Sequence, residues 1–220
     1  MDLRHALDHA QGGHVLTRSR GMTLVELMVV VSIIALMTAL AVPGIRSWAV
    51  NAQIRSNASA LQSNLRQAQA EAVRSFRQVV FFRTNDTTCT GRETAAAAGT
   101  RWVIKVLPLV AGGAVSASQC GSVLDNAAGL AVNGPTAVCF GANGRPLSLT
   151  ATQTAVGTAC TTGTNGRIIY GIEPTGTTAN LKQLQVWLTL GGTVRSCEKT
   201  RMVSDTVPDG CPAINQAPTT

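Results

Sequence analysis

The sequence predicts an α+β chain: one long N-terminal helix, apolar through its first part, packed on a β-rich C-terminal head with disulfides. Three observations predict this. Residues 22–42 (MTLVELMVVVSIIALMTALAV) carry a single charge, Glu26. A helical period follows to about residue 78, with no proline between Pro43 and Pro108. All six cysteines lie beyond residue 85, where short β-rich runs alternate with Gly, Asn and Thr clusters.

The apolar stretch comes first because it decides the class. As a helix rising ~1.5 Å per residue it would extend about 31 Å, the thickness of a bilayer's hydrocarbon core. Arg18 and Arg20 precede it, which predicts a cytoplasmic N-terminal side and a head outside the cytoplasm. A secretory signal is the main competitor, since Ala39-Leu40-Ala41 offers a small-x-small cleavage site. Glu26 argues against it, and equally against a plain membrane anchor, because an acid in such a stretch is costly unless something neutralises it. A soluble core helix would not be apolar on every side for this length.

The run Arg20-Gly21-Met22-Thr23-Leu24-Val25-Glu26 resembles the type IV prepilin signature. That resemblance implies cleavage between Gly21 and Met22 by a prepilin peptidase, N-methylation of Met22, and Glu26 as the fifth residue of the mature chain. It also implies that Glu26 faces the free amine of a neighbouring subunit's Met22 in a filament, where an unpaired buried charge would be strongly unfavourable and the pairing would set axial register. Methionine stands where the family more often has phenylalanine. The domains expected are a leader at 1–21, a transmembrane and filament-core helix at 22–43, an amphipathic continuation at 44–80, a β-rich head at 81–211 and a flexible tail at 212–220.

Pro43 and Gly44 interrupt the helical pattern, and a proline inside a helix removes a backbone hydrogen bond. Beyond them Ile54, Ala58, Leu61, Leu65, Ala68, Ala72 and Phe76 recur as one apolar stripe, the face expected against the head. Arg46, Arg55, Arg66, Arg74 and Arg77 punctuate the rest, which reads as a solvated face.

In the head, strands are expected at 79–83, 102–107, 137–140, 167–172, 184–190 and 193–196. Leu190-Gly191-Gly192-Thr193 reads as a hairpin turn, since glycine takes φ > 0 at little cost. Residues 84–100 and 149–165 read as loops. Cys89, Cys120, Cys139, Cys160, Cys197 and Cys211 include no Cys-x-x-Cys pair, so disulfides in an oxidising compartment are the better reading than zinc. Fifteen pairings remain open for six cysteines. Proximity in sequence favours Cys197 with Cys211.

Function is bounded by what is missing from the mature part of the sequence. All three histidines (His5, His9, His14) fall in the leader, and no phosphate-cradling loop, metalloprotease motif or paired acids follow, so no enzyme, cofactor or metal is expected. The net charge of +7, from 18 basic and 11 acidic residues, suits an acidic lipid surface, an acidic partner or nucleic acid. Lys182, Arg195, Lys199 and Arg201 gather around the glycine hairpin as a candidate DNA-binding patch. The chain resembles the FimT/GspH branch of minor pilins and pseudopilins, some of which bind DNA through a C-terminal Gly-Arg-x-Arg element. Gly192-Thr193-Val194-Arg195 keeps only the second arginine of that element. The resemblance implies an inner-membrane protein with a periplasmic head, drawn into a type IV pilus or a type II secretion pseudopilus. Its partners would be other pilins, the prepilin peptidase and, as the alternative role, DNA taken up in transformation.

Overall fold

The structure is a computed structural model that describes residues 21–110, 113, 116–124, 129–163, 165–176, 181–208 and 210–212. The leader up to Arg20 with its three histidines, Asp209, and the expected tail beyond Pro212 lie outside these residues. Two compact units result, Met1–Gly44 and Ile45–Thr220.

The first unit holds the start of helix α1 (Leu24–Ser75). Thr23 caps it: its hydroxyl accepts from the Glu26 amide at 3.2 Å and its carbonyl accepts from Leu27 at 3.1 Å, which satisfies donors that a helix N-terminus leaves open. Residues 21–40 are exposed on every side, from Met22 at 62% to Leu40 at 77%. Among the described residues no single helix is by itself long and apolar enough to cross a membrane; the stretches Leu24–Leu40 and Ile45–Ser75 meet the length and composition required only as a pair.

The second unit is the rest of α1 and a head of two antiparallel sheets. β1 (Val79–Thr84), β2 (Arg101–Val106), β3 (Ser116–Ser122), β5 (Ala137–Phe140) and β6 (Pro146–Leu147) form the first, in the order β3-β2-β1-β5-β6. β4 (Leu130–Asn133), β7 (Arg167–Pro174), β8 (Leu184–Thr189) and β9 (Val194–Glu198) form the second, in the order β4-β7-β8-β9. Ile54, Ala58, Leu61, Leu65, Ala68 and Ala72 of α1 are no more than 3% exposed and pack with Val79, Phe81, Ile104, Tyr170, Ile172 and Val186 from both sheets. The stripe ends there. Phe76 leaves it, 81% exposed, because its φ of +51° is left-handed and stops the helix at Ser75 rather than near residue 78. The expected boundary between 80 and 81 therefore falls inside β1.

β1 reads VVFFRT because it is buried on both faces. Val79 and Phe81 face the helix, while Val80 and Phe82 join a second cluster with Val103, Cys139, Leu149 and Val156 under the loops that follow β1 and β6. Within residues 149–165, expected to be loop throughout, the short helix α2 (Ala151–Thr154) forms on a reciprocal cap in which Thr150 and Gln153 satisfy each other's backbone amides. β3, β4 and β6 stand outside the six expected strands. The cysteines pair as Cys89–Cys120, Cys139–Cys160 and Cys197–Cys211.

Candidate functional site

Two regions carry the residues singled out in the sequence. At the N-terminus Gly21 precedes the helix without regular secondary structure, and Met22 and Glu26 are exposed, with no cation paired to Glu26 among the described residues. The Glu26 carboxylate stands in the first turn of α1, where the helix dipole favours an anion.

The other region is the β8–β9 hairpin. It is tied to α1 through main-chain oxygens: Gln62 and Arg66 donate to the Val194 carbonyl, each at 3.1 Å, and Gln69 donates to Gly144 O at 3.0 Å and Gly192 O at 2.7 Å. Gly192 has φ +90°, and a Cβ there would lie 3.1 Å from both Gln69 Nε2 and Gly144 O, so the turn needs glycine. Arg66 is exposed, as expected of a solvated face, and is a hairpin tether as well.

The four basic residues have different surroundings. Strand alternation puts Val194, Ser196 and Glu198 on one side of β9 and Arg195 and Cys197 on the other. Lys182 bonds Glu198 Oε2 at 2.8 Å and holds that carboxylate below its usual range. Lys199 bonds Glu173 Oε1 at 2.6 Å, on the β7 face that also carries Arg167 and Ile169. Arg201 sits in the turn after β9, its amide donating to the Glu198 carbonyl at 2.9 Å. Arg195 is exposed, registers directly opposite Trp187, and shares with Trp187, Arg167 and Pro208 a cleft of about 390 Å³. The segment leading to Cys211 borders this cleft, fixed by its disulfide to Cys197 and by a bridge between Met202 and Cys211.

Sequence reasoning missed two sites of buried charge, the Lys105–Glu93 pair and Arg83. Lys105, 1% exposed, points from β2 to the underside of the loop after β1; its Nζ donates to Glu93 O at 2.7 Å, lies 3.7 Å from Glu93 Oε2 and sits 4.9 Å from the centre of the Phe82 ring. Glu93 is 2% exposed, and its carboxylate accepts from the Thr90 amide and hydroxyl and from the Gly91 amide. Burial alone would raise its pKa, but these donors bring it below the usual range; burial lowers the Lys105 ammonium against the opposing pull of Glu93. The other is Arg83, whose Nε donates to Gly99 O at 3.2 Å. Gly99 lies so close over β1 that a Cβ would fall 2.4 Å from Thr84 N, and only glycine lets its carbonyl reach the guanidinium. Among the described residues no group of three or more His, Cys, Asp or Glu side chains is arranged to hold a metal.

Residues 16–42 match the prokaryotic N-terminal methylation motif. Two solved structures are similar to the chain at low identity. The type IV minor pilin FimU of Pseudomonas aeruginosa is 18% identical, covering 65% of this chain and 87% of its own, with a TM-score of 0.45. The minor pseudopilin EpsH from the type 2 secretion system of Vibrio cholerae is 15% identical, covering 66% and 97%, with a TM-score of 0.42. No curated protein matches in sequence. The matched motif lies at the head of a long helix that is followed by an antiparallel β head with three disulfides.

Proposed function

We propose that this chain is a minor structural subunit that initiates or caps a filament of the type IV pilus or type II secretion pseudopilus kind. The leader is removed between Gly21 and Met22 and the new amine of Met22 is methylated. The subunit waits in the inner membrane, with its head in the periplasm, until its helix is drawn into the filament. The observation that supports this reading is a match to the N-terminal methylation motif over residues 16–42, a stretch whose one acid is Glu26 and whose described helical residues, 24–40, are mostly apolar and exposed on every side.

Such a surface needs cover, because contiguous exposed apolar area of this extent belongs against lipid or protein. Lipid covers it before assembly, and neighbouring helices cover it after. In the filament Glu26 loses water and needs a cation close by, and the methylated amine of an adjacent Met22 supplies one. Mass spectrometry of the protein extracted from membranes checks the first step: the mature N-terminus is expected at methylated Met22. An N-terminus at Val42, as signal-peptide cleavage after Ala41 would leave, overturns the reading. Glu26→Ala is expected to be processed normally yet to be lost from sheared filaments, and full incorporation of that variant would remove the role given to the carboxylate.

A further inference from the structure

Arg83 occupies a position that no filament role requires. It follows Val79 and Phe81 on the helix-side face of β1, so it projects into the space between the two sheets, and it is 6% exposed. Its guanidinium has five donors. The structure gives it one protein acceptor, Gly99 O, and no carboxylate within ion-pair distance among the described residues. The guanidinium borders a crevice of about 330 Å³ whose other walls include Thr100, Leu124, Leu130, Val132 and Asn133. Tyr170 is within electrostatic reach of Arg83, and its buried hydroxyl has no hydrogen-bond partner among the described residues. Burial lowers the Arg83 pKa.

A buried charge is tolerated when it is paired, and here the pairing group is not supplied by the described part of the chain. We infer that the crevice between the sheets is a binding site for a carboxylate, with Arg83 as its anchor. The chemistry of the walls selects among anions. Among the described residues Arg83 is the only charged side chain bordering the crevice, so the charge matches a monoanion and would leave a phosphate dianion half neutralised. The planar fork of arginine pairs with the two oxygens of a carboxylate. The apolar walls from Leu124, Leu130 and Val132 accept a short hydrocarbon body behind the acid group, while Thr100 and Asn133 add polar atoms to the lining. A small aliphatic acid and the C-terminus of a partner chain share this chemistry.

The test uses the full-length protein in detergent micelles, titrated with sodium butyrate and followed by calorimetry. n-Butylamine and inorganic phosphate serve as controls, and a short peptide with a free carboxyl end is compared with its amide. Butyrate or the free-ended peptide is expected to bind saturably, butylamine and the amide not at all, and phosphate at least about tenfold more weakly, a gap of ~1.4 kcal/mol. Butyrate alone assigns a small acid as the ligand; tighter binding of the peptide assigns a chain terminus. Arg83→Lys keeps the charge but loses the fork, and is expected to weaken binding at least about tenfold. Ala98→Phe places a ring on an exposed rim residue of the same crevice and is expected to block binding with the melting curve unchanged, which keeps the test decisive if Arg83→Lys does not fold. Absence of saturable binding, equal binding to Ala98→Phe, or phosphate as tight as butyrate would overturn the proposal.

Discussion

At the scale of single residues, Glu93 and Lys105 are an unequal pair. The carboxylate is held chiefly by the Thr90 and Gly91 amides and the Thr90 hydroxyl, whereas the ammonium has one carbonyl, an aromatic face and the charge of Glu93 at 3.7 Å. Removing the acid strands a buried cation; removing the cation leaves an anion still well supplied with donors. Glu93→Gln is therefore expected to cost about 3 kcal/mol or more, and Lys105→Met clearly less, measured by urea unfolding. The pH profiles also differ. In the wild type the folded Glu93 binds its proton less readily than the unfolded one, so its contribution is complete above the ordinary carboxylate range and is lost as pH falls through that range. In Glu93→Gln the unopposed penalty on the Lys105 ammonium is relieved as that group deprotonates, so the variant is expected to regain stability as pH rises toward the ordinary lysine value. Equal costs for the two variants would show that the pair, not the amide cradle, holds the carboxylate.

At the scale of elements, the hairpin between β8 and β9 depends on α1 for its main-chain partners. Gln69→Ala leaves the Gly144 and Gly192 carbonyls without their shared donor and is expected to cost about 1 to 2 kcal/mol. Gly192→Ala adds left-handed strain of order 1 kcal/mol or more and crowds the same amide, so it is expected to cost more than Gln69→Ala. Thermal unfolding of the two variants gives the order directly. Elements whose own composition enforces them were legible in the sequence: the apolar stripe of α1, the continuous apolar run of β1 and the two-glycine turn. β3, with the sequence SASQCGS, was not, because it is recruited by pairing with β2 and carries no apolar run of its own. α2 escaped notice because one reciprocal cap, rather than periodicity, makes it. The cations near the hairpin are close along the chain, but their pairing was not legible: Lys182 meets Glu198 on β9 and Lys199 meets Glu173 on β7, partners that no spacing announces. Arg83 sat inside a strand-like run with nothing to mark it as facing a crevice, and Glu93 looked like a loop residue.

At the scale of the whole molecule, each disulfide fastens an irregular segment to the head. Cys139–Cys160 joins β5 to the segment after α2, Cys197–Cys211 joins β9 to the C-terminal segment, and Cys89–Cys120 joins the loop after β1 to β3. On loop-closure entropy alone the three differ little, with separations of 14, 21 and 31 residues worth about 3 to 4 kcal/mol each in the chain-entropy model. What distinguishes them is what each segment carries. The segment between Cys89 and β2 holds Glu93, the only carboxylate paired with the buried Lys105 among the described residues, and Gly99, the acceptor for Arg83. Freeing it exposes or strands two buried cations at once, whereas freeing the segment before Cys211 uncovers only the outer face of β8 and β9. The double variant Cys89→Ala, Cys120→Ala is accordingly expected to lose the most stability of the three cysteine pairs by thermal unfolding, and to lose it non-additively with Lys105→Met, because removing the ammonium removes part of what the loop is needed for. Equal losses from all three pairs, additive with Lys105→Met, would mean that the disulfides act only by constraining the unfolded chain.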